Sequence, residues 1–122
     1  MPLAKDLVSV GFAAGQASGA GGQIAPSVSA AGTVIGDATD LVASGNYVST
    51  VGSGAGVQLY FGQIGDDMWV YNGGANTLKV YPPSASHTIN QLAAGSAMNL
   101  SINTYCLFKL VTSTRVVADL SA

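Results

Sequence analysis

The chain has no glutamate, one cysteine and one histidine in its 122 residues, and charged side chains make up 8% of it. Each scarcity removes a class of chemistry. A single cysteine, Cys106, excludes an intrachain disulfide. It sits in the apolar run 105–111 and reads as a small buried apolar residue rather than a nucleophile. A histidine-based triad or metal site would have to use His87. That residue lies in Ser84-Ala85-Ser86-His87-Thr88, with no Gly-x-Ser-x-Gly motif beside it, and reads as a loop residue. The acid pairs are Asp66-Asp67 and Asp37-x-x-Asp40. A hard cation takes about six or more oxygens, so two aspartates make a thin site. Beside Gly65 and Gly36 they read as turn residues, with a calcium site at a subunit interface as the alternative. Gly52-Ser53-Gly54-Ala55-Gly56 lacks the Lys-Ser/Thr of a phosphate-binding loop. Little is left for acid–base chemistry. The expectation is a protein that is not an enzyme and uses no metal or cofactor.

Other absences bear on partners. Average soluble proteins carry roughly 25% charged residues. Here 48% of residues are hydrophobic and the net charge is −2. A small monomer with so few charges solvates its surface poorly, which points to a surface covered by other subunits. The four basic residues, Lys5, Lys79, Lys109 and Arg115, are scattered. Nucleic-acid binding needs them concentrated on one face, so direct nucleic-acid contact is not expected. No apolar run approaches the roughly 20 residues of a membrane helix. Nor does the N-terminus have the apolar block of a signal peptide, since Lys5 and Asp6 sit early and Gly, Ala and Ser follow. The chain reads as soluble, or assembled from soluble parts.

What is present divides near Gly32. Residues 1–31 are rich in Gly, Ala and Ser, a composition too costly in backbone entropy for a stable helix. This segment is expected to be an extended arm. It offers apolar anchors at Leu7, Val8, Val10 and Phe12, and again at Ile24 and Val28. A disordered tail is the alternative, but no residue from Leu7 to Gly36 is charged.

Residues 32–122 read as short strands separated by Gly, Asn and Pro breakers: 33–35, 39–43, 47–51, 56–60, 67–71, 77–81, 98–102, 105–111 and 115–120. Met98-Asn99-Leu100-Ser101-Ile102 alternates as a half-buried antiparallel strand does. Gly45-Asn46 reads as a breaker. Parallel sheets would need crossover helices for which there is no room. The expected fold is therefore all-β: an antiparallel β-sandwich or small barrel, jelly-roll-like, behind the N-terminal arm. Such a small core gains from association with copies of itself.

The densest pattern is Asp67-Met68-Trp69-Val70-Tyr71-Asn72-Gly73-Gly74-Ala75-Asn76-Thr77-Leu78-Lys79-Val80-Tyr81-Pro82. Its period-2 halves around an Asn/Gly turn predict a β-hairpin. Met68 and Val70 share one side of the first strand, Trp69 and Tyr71 the other; Leu78 and Val80 share one side of the second, Lys79 and Tyr81 the other. Trp69, Tyr71 and Tyr81 are candidate interface residues, since aromatics are enriched where subunits meet. Stacking on a sugar ring is the alternative.

This wording resembles small β-rich virion proteins and fibre-associated modules of tailed bacteriophages. The likeness runs through Tyr47–Val51, Gly54–Leu59, Val70–Pro82, Ile89-Asn90 and Ser101–Phe108, and is most specific over Asn72–Pro82. The sequence departs from that pattern in its last strand, 115–120, which has no aromatic residue, and in its long arm. The resemblance implies a capsid decoration (cement) protein on the exterior of the virion. It would be a homotrimer bound to the major capsid protein, stabilising the head by spanning capsomer boundaries. A tail-tip or fibre module binding a host-surface glycan is the second role the resemblance allows.

Overall fold

A computed structural model of the chain describes residues 23–120. Among them are ten strands: β1 (Ile24–Ser29), β2 (Thr39–Asp40), β3 (Gly45–Thr50), β4 (Gly56–Gln58), β5 (Asp67–Asn72), β6 (Leu78–Tyr81), β7 (Thr88–Ile89), β8 (Met98–Leu100), β9 (Tyr105–Leu110) and β10 (Arg115–Leu120). The chain is all-β, as expected. The segment read as a strand at 33–35 instead leads into a short 3-10 turn, Ile35–Asp37, closed by the Asp37 N–H donating to the Val34 carbonyl at 3.1 Å.

The strands lie in two sheets. The large sheet runs β1-β3-β5-β9-β10-β7, and the small sheet β2-β4-β6-β8. The first six strands alternate between them, so the chain winds as a solenoid. β1, β3 and β5 stack in parallel on one side, and β2, β4 and β6 stack in parallel on the other. Ile24 aligns with Gly45 and Gly45 with Trp69, so each coil uses about 20 residues, at the short end for a stacked repeat. After β6 the winding stops. β8 and β9 run back antiparallel to β6 and β5, β10 pairs antiparallel with β9, and β7 fills the far edge parallel to β10.

The antiparallel expectation is thus corrected for residues 24–81. A parallel pair does need a crossover, but a helix is not the only one. Here each strand of one sheet is the crossover for the other sheet. That is also why Gly45-Asn46, read as a breaker, opens β3: the chain turns just before it and pairs at once.

The expected hairpin is corrected for the same reason. β5 and β6 do not pair. Both edges of β5 are filled, by β3 and β9, and both edges of β6, by β4 and β8. The Asn/Gly stretch between them is a corner of the solenoid, and Asn72 builds it. Its side chain is fully buried; Nδ2 donates to the carbonyls of Asn76 and Leu100, both at 2.9 Å, while Oδ1 accepts the Gly74 N–H at 3.0 Å. Asn76 Nδ2 in turn donates to the Val51 carbonyl at 2.8 Å, tying this corner to the coil before it. Gly74 is required there, because a Cβ would stand 2.8 Å from the Val51 backbone nitrogen.

The core lies between the sheets. Val48, Val70, Phe108 and Val116 reach in from the large sheet, and Val57, Leu78, Val80 and Leu100 from the small one. Each such side chain contributes roughly 1.5–3 kcal/mol by leaving water. The expected inward pairs Met68/Val70 and Leu78/Val80 are among these core residues. The second apolar piece of residues 1–31 forms β1, an edge strand, where Pro26 is tolerated because its missing N–H interrupts no interior ladder.

Candidate functional site

Alternation sends the odd-numbered residues of β3, β5 and β9 to the outer face of the large sheet. Register then assembles them into rows. Tyr47, Tyr71 and Tyr105 are aligned across three strands; Gly45, Trp69 and Leu107 form the next row; Asp67 and Lys109 the one after. Tyr47 and Tyr71 stack with ring centroids 5.3 Å apart and planes at 10°. Trp69 and Tyr105 meet at 5.7 Å with planes tilted by 35°. Such aromatic pairs add about 0.5–1.5 kcal/mol beyond their burial. Together the four rings line a shallow depression. Tyr47 and Tyr105 each remain 39% exposed, so this surface is large, apolar and open.

Two glycines seat the rings. A Cβ on Gly45 would come within 2.6 Å of the Trp69 indole, and one on Gly73 within 2.5 Å of the Tyr47 ring. The indole therefore lies over β3 and the Tyr47 ring tip leans over the corner after β5. Lys109 Nζ and Asp67 Oδ2 are 3.9 Å apart at the edge of the cluster, both about half exposed. Such a surface ion pair contributes at most about 1 kcal/mol.

Of the residues singled out from sequence, Trp69 and Tyr71 are in this cluster. Tyr81 is not. It belongs to the small sheet, is 7% exposed, crosses Gly56 and donates its hydroxyl to the Thr33 carbonyl at 3.1 Å. Ile24 is exposed on β1, while Val28 packs against the core. Leu7, Val8, Val10 and Phe12 lie outside the described residues. Tyr47 and Tyr105 were not singled out, because only strand register reveals that they flank Tyr71. Strand parity in 105–110 was the available signal for Tyr105.

Reactive groups elsewhere are few. Cys106 is fully buried on the inner side of β9; desolvation, with the Asp119 carboxylate adding to it, pushes its thiol from 9.0 up to about 12. A thiol held protonated in this way is a poor nucleophile. Ser84 Oγ lies 2.7 Å from His87 Nδ1, a pair the sequence did not foretell. Ser84 Oγ also accepts the Ser86 N–H at 3.2 Å, and the His87 N–H donates to the Ser84 carbonyl at 3.1 Å. All these bonds fall inside residues 84–87 and close a turn. Asp66 does the same, Oδ2 accepting the N–H groups of Gly62 and Gln63 at 2.9 and 3.1 Å. Among the described residues no three His, Cys, Asp or Glu side chains gather to hold a metal ion, and no helix is long and apolar enough to cross a membrane.

Comparison with protein-family models, with curated proteins and with solved structures yields no match. The fold and site define the chain at the level of class: a two-sheet all-β protein with solenoid-like stacking, presenting an aromatic outer face.

Proposed function

We propose that this protein is a structural subunit that works by binding other protein chains, without catalysis. The observation that carries the reading is the outer face of the large sheet, where Tyr47, Trp69, Tyr71 and Tyr105 form an open aromatic cluster with charge only at its edge. Interface cores are depleted in charge and enriched in aromatic residues. The scarcity of charge in the whole chain supports the same reading. Within this class, the resemblance to phage virion proteins favours a capsid decoration protein on the head exterior, with the major capsid protein and copies of itself as partners.

The glycan-binding alternative is weaker on geometry. A sugar ring stacks on an open aromatic face, and Tyr47 and Tyr71 each turn one of theirs to the other.

Location in the particle tests the proposal. Purified virions carrying the chain on the outside of the head, by mass spectrometry and antibody labelling, are the expected result. A chain missing from virions overturns it. So does a chain at the tail tip whose binding on a glycan array is lost in Trp69→Ala.

A further inference from the structure

We infer that the outer face of the large sheet pairs with the same face of a second copy about a twofold axis. The inference rests on reading this face as a protein-binding surface, and the register of β5 with β9 carries it further. These neighbours place three outward pairs side by side: Asp67 with Lys109, Trp69 with Leu107, and Tyr71 with Tyr105. A twofold axis in the plane of the interface, parallel to the strands and midway between β5 and β9, sets β5 of one copy over β9 of the other at the same height. The side-by-side positions are then repeated across the interface. By strand position Asp67 then stands opposite the second copy's Lys109 and Tyr71 opposite its Tyr105, while the Trp69 indole, which lies over β3, is set toward the second copy's β10. An isologous contact requires this kind of self-complementarity, and packed sheets keep their strands aligned within about 30°.

Charge and area agree. β10 adds Arg115 and Asp119 at outward positions, so the face carries two acids and two bases and does not repel its own copy. β3, β5, β9 and β10 are six residues each. At about 4.8 Å between strands and about 3.3 Å per residue, the face measures about 20 Å by 20 Å. Counting side-chain relief, two such faces approach the roughly 1,000 Å² of a specific interface. Affinity in the micromolar range is expected. The self-complementary pattern selects a pair, in place of the homotrimer that the resemblance implies.

Sedimentation of the full chain over 1–200 µM, with circular dichroism confirming folding, tests this. The chain should form a dimer, and Leu107→Lys at the centre of the face should weaken it at least tenfold. Asp67→Lys and Lys109→Asp should each weaken it several-fold alone, and an equimolar mixture of the two should regain it as a mixed dimer. A chain monomeric throughout, a trimer, a dimer indifferent to Leu107→Lys, or no recovery on mixing overturns the pairing. The two proposals fail separately. A monomeric chain that still coats virions sinks the pairing and spares the assembly reading. A dimer that is absent from virions does the reverse.

Discussion

The two outer faces of this solenoid use the same device to opposite ends. On the large sheet the Trp69 indole lies over Gly45; on the small sheet the Tyr81 ring lies over Gly56. Tyr81 is then covered by its own chain, its hydroxyl held by the Thr33 carbonyl, and becomes part of the folded body. Trp69 joins three tyrosines and the cluster stays open. An aromatic residue on a strand's outward side is therefore not a binding residue by position alone. It is a candidate for one where no described segment of the chain closes over it.

The widest separation between the faces is expected on truncation. Tyr81→Ala removes a buried ring and should cost about 3–4 kcal/mol in urea denaturation. Trp69→Ala, measured where the chain is monomeric, should cost less than half as much; equal losses would break the contrast. The seats differ next. A Cβ at Gly56 would stand 2.8 Å from the Lys79 carbonyl oxygen, which is fixed backbone, so Gly56→Ala should destabilise by about 1–3 kcal/mol. At Gly45 the three nearest atoms all belong to the indole, a side chain that can swing away. Gly45→Ala should leave stability nearer wild type and shift the Trp69 fluorescence as the ring moves into water.

Hydroxyl removal sharpens the comparison further. Tyr81→Phe removes the hydrogen bond to the Thr33 carbonyl and should cost about 1 kcal/mol. Tyr71→Phe loses only an exposed contact of 3.4 Å to Asn103 and should stay within about 0.5 kcal/mol. An effect confined to alkaline pH lies beneath the aromatic face, at Cys106. Its thiol is pushed up to about 12 in the fold, chiefly by burial. Its contribution to stability is complete below the ordinary value of 9.0 and is lost as pH rises toward 12. Cys106→Ala should therefore show a shallower fall in stability across that window. Native Cys106 should resist iodoacetamide at pH 8.5 and react on unfolding.

The legible parts of the sequence were local. Period-2 alternation places Met68 and Val70 inward and Trp69 and Tyr71 outward, and β10 begins and ends where the pattern 115–120 predicts. Parity needs no partner, because successive side chains of a strand must point to opposite faces. Partner choice was not legible. Asn72-Gly73 has the local wording of a hairpin, and that wording fits a solenoid corner equally well. The missed strand β7 is two residues long, too short to show a period, and exists because β10 lies beside it.

The sequence by itself determined an all-β chain with two-sided strands, a buried cysteine and a low content of charged side chains. Only the tertiary structure decided that β5 and β6 part into different sheets, that Tyr81 is sealed in, and that Tyr47 and Tyr105 flank Tyr71. The physical reason is the same in each case. Strand pairing is a contest between edges distant in the chain, and β3 and β9 take both edges of β5, leaving none for a hairpin partner.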